Sequence, residues 1–269
     1  MIPLVVVDLD GTIVGKDGQV KLCVWQAVER ATAAGMKVAV CTGRPAFGVA
    51  LSIAERLGPD NPHVFQGGAH IGYPDGRILK VTALGEETAK SMIMASRKLN
   101  VVLEIYTPTN MYVERKTDLS ERHAKLIGVT AIVRDLEEVV ALEPVIRAQW
   151  VVGPTLRDTF VASAPPGASI AVATSPGLPN VDFITITRGG TSKASAVAYL
   201  AERLRVPLRN VMAVGDSEND IPMLDIVGHP RVMANSSAAV LERYDQVVPD
   251  VEECGAAAAI DQALKIRAA

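Results

Sequence analysis

The sequence lacks a surplus of basic charge, holds only three cysteines, and contains no apolar run of membrane-spanning length. With 27 Lys and Arg against 30 Asp and Glu, its formal net charge of -3 gives no general positive field for nucleic acid or an anionic membrane. No local basic patch replaces that field, so neither nucleic acid nor a membrane is expected as a partner. The cysteines, Cys23, Cys41 and Cys254, are odd in number, widely spaced and set in apolar surroundings. They read as reduced core thiols rather than disulfides or a metal cluster, which points to the cytoplasm. The opening MIPLVVVDLDG has no basic leader and meets aspartate too early for a signal peptide. There is no internal repeat and no low-complexity linker. What remains is 269 residues, 49% of them hydrophobic, enough to bury a sizeable core in one large domain or two smaller ones. The sequence does not set the oligomeric state.

Short β-branched runs alternate with helix-like periodic stretches, the pattern of parallel strands joined by crossover helices. The fold class is therefore α/β, a doubly wound, mostly parallel sheet. PLVVVDL (3–9) is continuously apolar and reads as a strand buried on both faces, followed by a helix over 20–35 ending at Gly35. MKVAVCT (36–42) is the next strand. A second helix is expected over 45–58 with Pro45 in its first turn and Gly58 as its stop, then a strand at HVFQG (63–67) and a hairpin turning on the PDG of IGYPDGRILKV. From about residue 80 longer alternating runs appear, among them VVLEIYTPTNMYVER, VIRAQWVV and VDFITIT. Turn residues near 164–180 mark loops there. After Gly189 the first texture returns and continues to a terminal helix. The reading is a core formed by residues 1–79 and 188–269, interrupted by an inserted α+β domain over 80–187.

Four polar groups fall at the carboxyl ends of the expected core strands: Asp8 and Asp10 after VVV, Thr42 after VAVC, and Asp216 after VMAVG. Ligands of open α/β sheets bind at that edge. Lys193, in the first turn of the helix after the insert, can reach the same edge. Carboxylates converging there repel unless a cation or proton neutralises them, and a hard cation such as magnesium suits an all-oxygen set. Asp8, ionised, is equipped to attack an electrophile, and Asp10 to carry the proton of the leaving group. Gly11 and Thr12 let backbone N–H groups turn toward an anion, while Thr42 and the amide of Gly43 offer further donors. Lys193 balances the charge of nucleophile and phosphate. This equipment fits phosphoryl transfer, in which positioning and charge neutralisation supply most of the catalysis.

DLDGT (8–12), CTGRP (41–45), GGTSKASAV (189–197) and GDSENDIPML (215–224) resemble, in order and spacing, the four motifs of the haloacid dehalogenase superfamily. With a large insert between the second and third motifs, the chain is similar to the Cof-type phosphatases. The resemblance covers the whole core, including MANSSAAV and PDVEECGAAAAI near the end, whereas the insert matches only in position and size. It implies a nucleophile at Asp8 that becomes an aspartyl phosphate, an acid/base at Asp10, a phosphate anchor at Thr42 and a charge stabiliser at Lys193. It implies magnesium held by Asp8, the backbone carbonyl of Asp10 and Asp216, with Asn219 and Asp220 supporting the site. A small phosphorylated metabolite, of phosphosugar type, is the implied substrate. One departure stands out: the family's Asn-Gly-Ala run after the third core strand is QGGA here, with Gly67 in place of the asparagine.

Simpler readings exist for each residue taken alone. DLDG is an ordinary turn, Thr42 can cap a helix, Lys193 can be a solvated helix residue, and Asn219 or Asp220 can serve the local helix end. Arg44 can form a structural ion pair and stays outside the catalytic set. His63, His70, His123 and His229 lack ligand spacing and read as structural or exposed. Two other functions share the pattern in part: a phosphomutase, which returns the phosphoryl group to substrate, and a phosphorylated signalling module, which lacks the second aspartate and the insert. Within the insert, expected to select the leaving group, Tyr112, Arg115, Trp150 and Arg157 are the candidates for substrate contact.

Overall fold

The computed structural model describes residues 2–175 and 177–266. The first core segment runs β1 (Leu4–Val7), α1 (Leu22–Ala33), β2 (Lys37–Val40), α2 (Val49–Leu57), β3 (His63–Phe65), β4 (His70–Gly72) and β5 (Ile78–Val81). There follow α3 (Glu86–Leu99), β6 (Leu103–Tyr106), β7 (Met111–Val113), α4 (Asp118–Ile127), β8 (Ile132–Val133), α5 (Leu136–Leu142), β9 (Arg147–Val152), α6 (Arg157–Ala162), β10 (Ser169–Ser175) and β11 (Leu178–Thr187). The chain ends with α7 (Lys193–Arg203), β12 (Val211–Gly215), α8 (Ile221–Ile226), β13 (His229–Met233), α9 (Ala238–Leu241), β14 (Val247–Val248) and α10 (Gly255–Lys265).

The core sheet is parallel throughout, in the order β14-β13-β12-β1-β2. Its strands are continuously apolar because helices cover both faces. Val5, Val7, Val38, Val40, Met212 and Val214 pack with α1, α2 and α10, while Leu4, Val6, Ala39 and Ala213 pack with α7 and α8. The connection from β1 goes to β2 on one side, and β12 returns on the other. This reversal opens a crevice at the carboxyl end of β1, where Asp8 follows Val7. The insert forms a second sheet, β10-β11-β9-β6-β7-β8, with α3, α5 and α6 packed on one of its faces around Trp150 and Phe160.

Three local expectations give way. The second helix begins at Val49 rather than near Pro45, because Gly48 holds φ at +66°, and a Cβ there would meet the Ile127 carbonyl oxygen of α4 at 2.5 Å. The segment before it is thus a loop that carries Arg44. The turn-rich stretch around 164–180 is largely strand: β10 pairs with β11, whose own polar and apolar residues alternate, and Pro176 lies outside the described residues. The third correction concerns the cysteines. Cys23 and Cys254 form a disulfide that ties α1 to the turn before α10, and Cys41 is free and buried. Spacing in sequence concealed this pair, since α1 and α10 pack side by side although their cysteines lie 231 residues apart.

A cross-link closing so long a loop removes much unfolded-state entropy, about 5 kcal/mol in the chain-entropy account. The oxidised protein is therefore expected to unfold at a clearly higher urea midpoint than the protein in dithiothreitol, and Cys23→Ser should erase that difference. Identical midpoints for the oxidised and reduced wild type would contradict the pairing.

Candidate active site

Asp8 leaves β1 with its amide bonded to the Val214 carbonyl of β12 at 3.0 Å, so the strand pairing itself aims the carboxylate into the crevice. Its Oδ1 accepts from Lys193 Nζ at 2.7 Å, and the same ammonium donates to Asp220 Oδ1 at 2.6 Å. Ser192 caps α7 in a capping box with Ser195, which places Lys193 at the first helical position. The other oxygen of Asp220 accepts from the amides of Asp216 and Ser217, fixing the loop after β12. Thr12 Oγ1 donates to Asp216 Oδ1 at 3.2 Å. Gly11, with φ at +78°, cannot be another residue here: a Cβ would lie 2.2 Å from Asp216 Oδ2.

Asp10 is held differently. Arg44 forks onto it, Nε to Oδ2 at 2.8 Å and Nη2 to Oδ1 at 2.6 Å, so both carboxylate oxygens are engaged. Thr42 Oγ1 accepts from the Arg44 amide at 3.1 Å, and the Thr42 carbonyl accepts from the Gly67 amide at 2.9 Å. Gly67 sits at φ +62°, a conformation asparagine also tolerates, with open space where a side chain would be. Asn219 Oδ1 accepts from Ser217 Oγ at 3.0 Å. Asn235 was not singled out in the sequence, yet its Nδ2 donates to the Gly11 carbonyl and its Oδ1 accepts from the Val251 amide, bracing the loop after β1.

Carboxylate oxygens of Asp8, Asp216 and Asp220 come within 4.8 Å of one another. Burial pushes Asp8 up to about 7, with Lys193 acting against the rise and Asp220 and Asp10 adding to it. Burial, then the charges of Asp8 and Asp220, push Asp216 up to about 8. For Lys193, burial alone would lower the ammonium, but Asp220 and Asp8 outweigh it and hold the group above its ordinary range. One ammonium therefore faces three carboxylates, and the excess negative charge, on oxygen ligands only, fits a hard divalent cation. The carboxylate of Asp10, occupied by Arg44, stands outside this cluster.

The site opens into a cavity of about 210 Å³ between the core and the inserted sheet. Asp8, Asp10, Thr42, Gly43, Asp216 and Asn219 line its core side. The four expected cap residues do not line it. Trp150 is fully buried behind the sheet, Tyr112 donates to Glu143, Arg157 forks onto Asp182, and Arg115 binds Asn100 at a separate cavity. Strand alternation explains the miss. Ala148, Trp150 and Val152 of β9 face the cap helices, so Arg147 and Gln149 face the cavity, joined by Thr185 of β11 and His123 of α4. Charged and amide residues at every second position of an otherwise apolar strand were the available signal. Of the other histidines, His63 is structural, accepting from the Val40 amide and bonding the Gly58 carbonyl, and burial lowers it to about 4.

A family profile of haloacid dehalogenase-like hydrolases matches residues 5–260. The chain belongs to that family. Among curated relatives of this hydrolase is a Streptococcus pyogenes serotype M6 protein whose name carries a provisional phosphatase assignment, 28% identical over 271 residues, spanning 96% of this chain and 97% of its own. The 5-amino-6-(5-phospho-D-ribitylamino)uracil phosphatase YwtE of Bacillus subtilis is 23% identical over 286 residues, covering 97% of each chain. The same fold, core plus cap, recurs in the phosphatase BT1666 of Bacteroides thetaiotaomicron, with a TM-score of 0.82, 23% identity, and coverage of 99% of this chain and 96% of that one. The HAD subclass IIB sugar phosphatase BT4131 aligns equally well, with a TM-score of 0.82 at 21% identity over 98% of this chain and 99% of its own. Among the described residues no helix is long and apolar enough to cross a membrane.

Raised carboxyl pKa values mean that the native state holds protons which the unfolded chain, titrating near 3.8, has already lost. Without a divalent cation, stability is therefore expected to fall as pH rises from about 5 to about 8.5. A bound divalent cation takes the place of those protons, so urea midpoints at the upper pH should recover when it is added. Midpoints in chelator that stay flat or rise across that window would contradict the clustered carboxylates.

Proposed function

We propose that this hydrolase is a magnesium-dependent phosphatase that cleaves a small phosphorylated metabolite through an aspartyl phosphate on Asp8. The observation that carries the reading is the placement of Asp8 against Lys193 at 2.7 Å, beside Asp216, at the floor of a cavity that also exposes Asp10 and Thr42. Magnesium, when held by Asp8, Asp216 and the Asp10 carbonyl, supplies positive charge to the phosphoryl oxygens and keeps Asp8 ionised. Lys193 holds one Asp8 oxygen, leaving the other to attack phosphorus in line with the departing alcohol. Thr42 and the amides after Asp10 receive the phosphoryl oxygens. Asp10, released from Arg44, delivers a proton to the leaving oxygen as the ester bond breaks. In the second half Asp10 takes a proton from the water that attacks the aspartyl phosphate, freeing inorganic phosphate and restoring Asp8.

The insert, about residues 80–187, acts in this reading as a cap that covers the site and selects the organic part of the substrate, as lids do generally. The family resemblance favours a phosphosugar-type metabolite. A cytoplasmic location fits such a substrate.

Asp8→Asn should abolish phosphate release, by about four orders of magnitude or more, while the thermal transition shows a folded protein. Asp10→Asn should lower kcat by about a hundred- to ten-thousandfold and leave magnesium affinity nearly unchanged, because its side chain carries the proton and its carbonyl carries the metal contact. Near-normal turnover by folded Asp8→Asn would remove the covalent route. Equal losses of magnesium affinity in the two variants would make Asp10 a side-chain ligand.

A further inference from the structure

The face of the inserted sheet that overlooks Asp8 carries a polar array, and most of it is internally satisfied. Glu104, buried, accepts from Tyr106 Oη at 2.8 Å, from Gln149 Nε2 at 3.1 Å and from His123 Nδ1 at 2.9 Å. Gln149 in turn accepts through Oε1 from Thr185 Oγ1 at 2.9 Å. These bonds close on one another and leave His123 only its Nε2 for a ligand.

Arg147 is the exception. It is 3% exposed and lies over the Tyr106 ring, 3.9 Å from its centroid. One of its N–H groups bonds the Gly43 carbonyl, beside Thr42, and the guanidinium also meets the Tyr106 hydroxyl, while its buried Nε has no partner. Among the described residues no carboxylate is paired with it, unlike Arg44 with Asp10 or Arg157 with Asp182. A desolvated guanidinium without a counter-charge is costly, and the fork geometry suits carboxylate or phosphate oxygens above other ligands. The carboxylates across the cavity already have partners of their own: Asp10 is forked by Arg44, and the Asp8 cluster has Lys193 and an arrangement of oxygens suited to a cation. The unmet positive charge therefore points at the organic part of the substrate.

The cavity limits what that part can be. At about 210 Å³ it is smaller than the roughly 300–1,000 Å³ of ordinary small-molecule sites, and Leu126, Ile127 and Phe183 give it apolar walls. The neighbouring, larger cavity has a hydroxyl-rich lining but contains neither Asp8 nor Asp10, so the leaving group starts out in the smaller one.

We propose that Arg147 is a specificity residue and that the substrate is a small phosphomonoester whose organic part bears a second anionic group, a carboxylate or a second phosphate, which docks on the Arg147 guanidinium. This rests on the phosphatase reading and narrows it. The test is phosphate release from two pairs of esters: glycerol phosphate against phosphoglycerate, and a hexose monophosphate against the hexose bisphosphate. The wild type should prefer the more anionic member of at least one pair by tenfold or more in kcat/KM, and the pair that responds tells carboxylate from phosphate. Arg147→Gln should shrink that preference about ten- to hundredfold, and Arg147→Lys, which keeps the charge, should retain part of it. Two results would overturn the proposal: a wild type that hydrolyses neutral members as well as anionic ones, or an Arg147→Gln protein that loses both members of a pair equally, which would assign the guanidinium to the transferred phosphoryl or to holding the cap. The wild-type comparison and the lysine variant decide the question even if Arg147→Gln fails to fold. Hydrolysis of neutral esters without preference sinks this proposal alone, whereas no release from any ester sinks the phosphatase reading and this proposal with it.

Discussion

Everything at the site depends on crowding carboxylates at the buried end of a parallel sheet and then neutralising them. Asp8, Asp216 and Asp220 reach one another because β1 and β12 are adjacent parallel strands in register, Val7 opposite Val214. The sheet delivers the charges, and burial makes them expensive unless each finds a cation. Lys193 meets two of them from the start of α7. Asp220 converts part of its charge into loop geometry by receiving two backbone amides. What is left over is a negative site of oxygen ligands, which explains why an ion and a phosphoryl group suit the same few ångströms.

The cap answers the core with the opposite arrangement. Its sheet turns an apolar face to α3, α5 and α6 and a polar face to the crevice, so one strand serves both surfaces. Trp150 and Arg147 show the division on β9: the indole fills the cap core with Phe160, and the guanidinium meets the Gly43 carbonyl across the crevice. Truncating a fully buried tryptophan such as Trp150 costs about 3–5 kcal/mol in typical cores, so that face tolerates little change, and the cavity face is held by its own buried bonds, in which Glu104 accepts from Tyr106, Gln149 and His123.

Core strands were legible because two-sided burial leaves a continuous apolar run followed by an abrupt polar residue, as at VVVD and VMAVGD. The motif residues Asp8, Thr42 and Asp216 come together at one crevice for the same reason, since strand ends are fixed by the sheet, and Lys193 meets Asp8 from the start of α7. What stayed hidden depends on long-range contact. The start of α2 turned on Gly48 approaching the cap, and the cysteine pair turned on α1 lying beside α10. Choosing Trp150 over Arg147 was an error of strand parity, which a run of mixed character such as RAQWVV leaves open until its neighbours are known. The structural ion pair open to Arg44 in the sequence gains its partner only when Asp10 is placed opposite it.

The central claim is that Asp8 becomes covalently phosphorylated, and the most direct measurement is rapid acid quench of the enzyme turning over a phosphomonoester with magnesium, followed by peptide mass spectrometry. The account predicts a phosphoryl group on the peptide that contains Asp8, appearing in the first turnover and absent from Asp8→Asn. Phosphate release that proceeds through that turnover with the Asp8 peptide unmodified would contradict it.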